Sequence, residues 1–338
     1  MTPIGFLHCP DISRGTSVSL FVQRIFDALA NGAVYSSLAV ALSMVFRASG
    51  ILNLAQGELA MFSAYIAALL RSSPPGTGPP GRPFTGQGLF AYLGTPWPPW
   101  AAILGAMVFA ALLGALIQRF IIQPLDDRDP LPAIGAIVGI YLLLRGLASK
   151  WWGGGVRDIG SPFPVKSADR FDILGARLRF ETLGIVGSLI VMLLALNLLQ
   201  RRTKIGLAFR ALVSNPDGAR LVGIRVGSVL MIGWALASAL GALGGGLIAN
   251  TLHVRPDMMS RVLVFSLAAA ILGGLGSPLG AVIGGFAFAL LEAMLVGYVS
   301  FISSDVALVY TLGLLIVALI VRPGGLLGTS LTIERARA

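Results

Sequence analysis

The sequence predicts an all-α integral membrane protein with about 8–9 transmembrane helices, and three observations carry that reading. Only 12% of the 338 residues are charged and 56% are hydrophobic, whereas a soluble domain carries roughly 25% charged residues. Windows such as "AAILGAMVFAALLGALI" and "LGIVGSLIVMLLALNLL" hold no charged residue at all and approach the ~20 residues that cross a hydrocarbon core. The net charge of +10 comes from cations grouped in short loops beside such windows, which is the pattern of membrane topology. It therefore implies no nucleic-acid partner.

In chain order, the first apolar block runs from about Leu20 to Phe46, with Arg24 and Asp27 near its start. After the polar break "RASGILNLAQGE", the stretch from Asn53 to Leu70 is short for a full crossing and reads as a half-helix or a tilted one. Residues 71–99 are dense in proline and glycine, which excludes regular helix or sheet and implies an exposed loop. Trp97 and Trp100 within and beside it suit a membrane interface. Further spans are expected at about 100–122, 132–149, 183–199 and 226–249. An apolar run then ends at Gly273, the turn "GGLGSPLG" leads into a span to about Gly297, and a last span covers about 306–321. The segment 150–182 is polar and mixed in period, as an extramembrane excursion with some strand or short helix would be.

The first 20 residues lack a compact apolar segment followed by a small-residue cleavage site, so no cleaved signal peptide is expected. Orientation follows from residues 201–225, where Arg201, Arg202, Lys204, Arg210, Arg220 and Arg225 face the single acid Asp217. That loop is expected on the cytoplasmic side. Alternation then places 71–99 and 150–182 outside and the tail with Arg322, Arg335 and Arg337 inside. The two halves have opposite expected orientation and share a weak pattern, which makes them candidates for an inverted repeat.

The basic loop is itself structured. "SNPDGARLVGI" offers Asn215 as N-cap, Pro216 at the first helical position, Asp217 in the first turn and Gly223 as the stop. Before it, Leu207, Ala208, Ala211 and Leu212 form an apolar stripe at helical spacing with Arg210 on another face. A pair of short helices is expected, either resting on anionic membrane lipid or docking into a soluble partner.

Two sets of residues resemble a known family. "Asp217-Gly218-Ala219-Arg220-Leu221-Val222-Gly223" is similar to the coupling loop of ATP-binding-cassette importer permeases, with Gly218 where alanine is usual and no Ile-x-Leu-Pro continuation. "NGAVYSSLAVALSMVFRASGILNLAQGELAMFSAYIA" resembles the N-terminal signature of branched-chain amino-acid (Leu/Ile/Val-type) permeases. Asn31, Gly32, Tyr35, Met44, Asn53, Ala55, Gly57, Glu58, Ala64 and Tyr65 match it, and Gln56 replaces the commoner histidine. "GGLGSPLGAVIGG" and "RPGGLLG" match the C-terminal half, and the proline-rich loop looks like an insertion. The resemblance implies an ABC-importer permease fold occupying 1–338 as a single transmembrane domain in the cytoplasmic (inner) membrane of a prokaryote. It also implies cytoplasmic ATP-binding subunits docked on a coupling loop within 201–225, a second permease subunit, identical or homologous, and an extracytoplasmic substrate-binding protein. On that reading Arg210, Asn215, Asp217, Ala219 and Gly223 serve the coupling loop.

Asn53, Gln56 and Glu58 admit two roles. A carboxylate at the edge of an apolar stretch must face water, protein or a helix N-terminus, so Glu58 either caps the following helix or lines the substrate pathway with Asn53 and Gln56. Glu292 and Asp305 are equally open between packing and guiding substrate. The glycine-rich "GGLGSPLG" has no Lys-Ser/Thr and no Walker A pattern occurs elsewhere, so ATP hydrolysis is not expected of this chain. Cys9 is the single cysteine, and His8 and His253 lie far apart, so no metal site or cofactor is expected. The main rival is an ion-coupled secondary transporter, which leaves 203–224 without a purpose. An intramembrane enzyme would need a Ser/His or acid pair at membrane depth, which the two histidines do not supply.

Overall fold

A computed structural model describes residues 17–71, 97–125, 130–157, 159–164, 170–173 and 175–298, with scattered residues between 309 and 327. The proline-rich loop, the last expected span, the C-terminal cations, Asp305, His8 and Cys9 fall wholly or largely outside the described residues.

Ten helices and one hairpin follow in order: α1 (Ser17–Ser49), α2 (Gln56–Leu70), α3 (Pro99–Ile117), α4 (Pro130–Trp152), β1 (Arg170–Ile173), β2 (Ala176–Arg179), α5 (Phe180–Arg202), α6 (Lys204–Ser214), α7 (Pro216–Leu221), α8 (Val226–Leu252), α9 (Met258–Gly273) and α10 (Pro278–Tyr298). Among the described residues, six helices are long and apolar enough to cross a membrane: α1, α3 with its continuation to Leu125, α4, α5, α8 and α10. The chain is thus a multi-pass membrane protein. α2 and α9 are shorter apolar helices.

α1 is the centre of the bundle. Leu38, Leu42 and Met44 are almost fully buried, and α1 packs against α5, α8, α9 and α10. The glycine-rich centre of α8 brings three neighbours close. A Cβ at Gly244 would strike Ser37 of α1, one at Gly245 would lie 2.8 Å from the Ala60 carbonyl of α2, and one at Gly246 would crowd Ile103 of α3 at 3.1 Å. Small residues supply this closeness in membranes, where lipid competes with side chains for apolar contact.

α2 is short because protein, and not lipid, surrounds it. Residues Gln56–Tyr65 are all buried, and Asn53 and Ala55 in the non-helical stretch before it are buried too, as irregular backbone at membrane depth must be where it is tolerated. α3 ends differently, in a π-turn over Gln118–Ile122 and a 3-10 turn over Gln123–Leu125.

The connections gather at two ends. At one, the β1–β2 hairpin meets α1 through the Arg177 amide, which donates to Gln23 Oε1 at 2.8 Å. There too, Arg157 and Val254 form an antiparallel bridge, the Trp97 amide donates to the Leu70 carbonyl at 3.1 Å, and Asn250 donates to Glu181 at 2.9 Å. The excursion at 150–182 thus contains the expected strands. The α6–α7 pair lies at the opposite end.

Candidate functional site

Three groups of residues stand out, beginning with α6 and α7. Thr203 caps α6, its Oγ1 accepting from the Gly206 amide at 3.1 Å. Asn215 caps α7, its Oδ1 accepting from the Gly218 amide at 2.8 Å, with Pro216 at the first helical position. α7 closes in a Schellman motif: the Gly223 amide donates to the Arg220 carbonyl and the Ile224 amide to the Ala219 carbonyl, each at 3.0 Å. Gly223 takes φ +82°, with open space where a side chain would stand. The punctuation read from the sequence is therefore the punctuation that forms.

The stripe expected on α6 needs correction at one position. Leu212 is buried, but Leu207 is 62% exposed, and the main anchor is Phe209, buried to 4%. Phe209 lies 3.1 Å from the Cβ position of Gly233 in α8, and Gly206 sits against the Gln200 backbone of α5. Helical spacing identified an apolar helix; the partner helices decide which apolar side turns inward. Ala219 is buried, whereas Arg210, Asn215 and Asp217 are exposed. Leu221 and Val222 project at 89% and 76% exposure amid the exposed Arg201, Arg202, Lys204, Arg210, Arg220 and Arg225. A cavity of about 310 Å³ opens beside them, lined by Arg119, Gln123, Arg225, Gly227, Ser228 and Met231.

The second group is the entry into α2. Asn53 Oδ1 accepts from the Ala55 amide at 3.1 Å, and Asn53 Nδ2 donates to Gln56 Oε1 at 3.0 Å. Gln56 Nε2 then donates to the Ala237 carbonyl of α8 at 2.8 Å. Both side chains are thereby engaged in holding the irregular turn and fastening it to α8. Glu58 is different. It lies in the first turn of α2, is 1% exposed, and its Oε2 has no hydrogen-bond partner.

The third group joins α1, α9 and α10. Tyr35 donates to Glu292 at 2.8 Å, Arg261 approaches the other carboxylate oxygen at 3.4 Å, and the Arg261 guanidinium lies 5.2 Å from the Phe265 ring centre. Glu292 on α10 is thereby tied to α1 and α9. Toward the hairpin end, Tyr65 stacks on Trp152 at 4.6 Å and Arg157 lies over the Tyr65 ring at 5.6 Å. Burial pulls the Arg157 guanidinium below its ordinary value, with Tyr65 acting the other way; an arginine stays charged regardless. Sequence reading passed over Arg145, a cation inside α4 that donates to Tyr141 Oη at 2.7 Å and Ser260 Oγ at 3.2 Å. The available signal was an arginine within an apolar span.

The family profile described as "Branched-chain amino acid transport system / permease component" matches residues 24–320. The chain is 28% identical over 316 residues to the high-affinity branched-chain amino acid transport system permease protein LivH of Salmonella typhimurium, covering 91% of this chain and 96% of that protein. It is 28% identical to the probable branched-chain amino acid transport permease protein LivH of Methanocaldococcus jannaschii, covering 87% and 90%. It is 24% identical to the high-affinity branched-chain amino acid transport system permease protein BraD of Pseudomonas aeruginosa, covering 91% and 96%. No solved structure matches the chain.

Proposed function

The chain belongs to the family of permease components of branched-chain amino acid transport systems, and we propose that it forms half of the membrane pathway of an ATP-binding-cassette importer. The substrate is a branched-chain amino acid or a related small polar solute, a reading supported by the names of the relatives. A second permease, identical or homologous, completes the pathway, and an extracytoplasmic binding protein delivers the substrate. ATP is hydrolysed by separate cytoplasmic subunits. The membrane is the inner membrane of a prokaryote.

The observation that carries this reading is the capped α6–α7 pair with Leu221 and Val222 exposed at its tip. A surface cation cluster on lipid needs no such closure, whereas a docking element must keep its shape under load. Arg210, Asn215, Asp217, Ala219 and Gly223 make up that element. Force applied there passes through Phe209 to Gly233 of α8, and α8 packs on α1, α2 and α3. Closure of the ATPase pair thus tilts the centre of the bundle and alternates access between the two sides.

In this reading 201–225 faces the cytoplasm, 71–99 lies outside, and 1–338 is one permease domain. The six long helices, α2, α9 and the segment near 306–321 make up nine crossings, within the eight or nine expected from the sequence. One short helix in each half, α2 and α9 running in opposite directions, supports an inverted repeat. Asn53 and Gln56 hold the helix break, and Glu58 belongs to the substrate pathway. The ion-coupled rival gives no purpose to the α6–α7 surface.

The test is gentle detergent extraction with identification of the chains that co-purify. Recovery of a P-loop ATPase, lost when residues 206–223 are altered, supports the importer. Recovery of the permease alone, competent for ATP-independent transport, contradicts it.

A further inference from the structure

Glu58 and Arg145 lie at one level inside the bundle, although no feature of the chain's sequence links them. α2 and α4 both run toward the hairpin end, because Leu70 meets Trp97 there and the segment after Trp152 bridges to Val254. Near that end the two helices are pinned by Tyr65 stacked on Trp152 and by Phe62, whose ring centre is 5.0 Å from that of Trp152. Glu58 precedes Tyr65, and Arg145 precedes Trp152, by the same two helical turns, about 10 Å of rise on one face of each helix. α9 gives a second bearing. Leu263 lies 3.0 Å from the Cβ position of Gly57, beside Glu58. Ser260, which accepts from Arg145 at 3.2 Å, stands one turn from Leu263 on the same helix.

These opposite charges do not close on each other. Arg145 spends its contacts on the hydroxyls of Tyr141 and Ser260 and on the Tyr141 ring, 5.9 Å from its guanidinium carbon. Among the described residues it makes no ion pair. Glu58 Oε2 is buried and without a hydrogen-bond partner. A buried carboxyl oxygen without a partner is costly inside a membrane protein unless something completes it, and the Arg145 guanidinium nearby in register has only neutral partners.

We propose that Glu58 and Arg145 form a binding site for an α-amino acid zwitterion, Glu58 receiving its ammonium group and Arg145 its carboxylate. This rests on the importer reading and names the site within it. A zwitterion carries both complementary charges on neighbouring atoms and so satisfies both residues at once, whereas a neutral sugar or amide satisfies neither charge. Ser260 and Tyr141 position the guanidinium. The Tyr65–Trp152 stack closes the site toward the hairpin end, so loading requires that stack to part.

The test uses the assembled importer in vesicles, with its ATPase and binding-protein subunits and radiolabelled L-leucine as probe. Absence of leucine uptake by the unmodified complex would overturn the branched-chain amino acid substrate, and this site with it. With that complex active, Arg145→Gln and Glu58→Gln are expected to lose at least about tenfold in uptake per inserted chain, while ATP hydrolysis continues. Should a neutral variant fail to accumulate, Arg145→Lys and Glu58→Asp keep the charges but move them, and a raised leucine concentration for half-maximal uptake supports the site while an unchanged one overturns it. The leucine concentration for half-maximal uptake separates binding from packing, since loss of a binding group raises it whereas a packing defect lowers the maximal rate alone. An unchanged half-maximal concentration, or uptake within about twofold of normal in a neutral variant, overturns the site and leaves the importer reading intact.

Discussion

The amide of Ile224 donates to the carbonyl of Ala219 at 3.0 Å, closing α7 over a glycine at φ +82°. Nothing stands within 4 Å of where a Gly223 side chain would be, so the position demands glycine for its backbone and not for space. Holding an L-residue there costs about 1–2 kcal/mol, more for a β-branched one. Gly223→Val is expected to insert normally yet lose most ATP-driven uptake, and Gly223→Asn, which tolerates this conformation, to retain more. Uptake per inserted chain measures both, and normal import by Gly223→Val would remove α7 from the docking element.

The N-cap at the other end of α7 makes a separate prediction. Asn215→Ala removes the bond to the Gly218 amide, a loss of about 0.5–2 kcal/mol. Amide hydrogen exchange at Gly218–Arg220 should accelerate, while Asn215→Asp keeps its protection. Equal exchange in all three proteins would show that the cap does not hold α7.

Gln56 ties α2 to α8 and also satisfies Asn53. Gln56→Ala unties α2 from the Ala237 carbonyl of α8 and leaves the Asn53 side-chain amide nitrogen buried without its partner, at about 1–3 kcal/mol. A lowered thermal unfolding midpoint in detergent is the expected outcome. An unchanged midpoint would mean that the turn before α2 is held by packing alone.

Two glycines on different helices should respond oppositely. A Cβ at Gly284 would strike the Ala269 carbonyl of α9, whereas one at Gly139 meets nothing within 4 Å. Gly284→Ala should separate α9 from α10 and reduce accumulation or thermal stability. Gly139→Ala should leave accumulation unchanged and raise thermal stability slightly, through a helix-propensity gain of up to about 1 kcal/mol. Equal behaviour of the two would contradict the α9–α10 packing.

Local chemistry was legible in the sequence, and remote partnership was not. "SNPDGARLVGI" announces its cap, its first turn and its stop because each is a property of a few adjacent residues. The shortness of α2 was legible from the length of its apolar run. By contrast, Leu207 turns outward because the neighbouring Phe209 finds a groove at Gly233 in α8, a fact no helical wheel contains. Tyr35 meets Glu292 across 257 positions, and Glu58 meets the level of Arg145 only through the register of two helices. Site chemistry that depends on such register becomes readable once the helices are placed.

The central claim is that ATP, acting through α6–α7, drives this permease. The most direct measurement is L-leucine uptake into vesicles holding the purified complex, with either ATP or an imposed proton or sodium gradient as the sole energy source. Uptake with ATP and none with either gradient is the predicted result. Gradient-driven uptake by this chain alone, unaffected by ATP or by changes at Gly223, would contradict the account and make an ion-coupled carrier the better description.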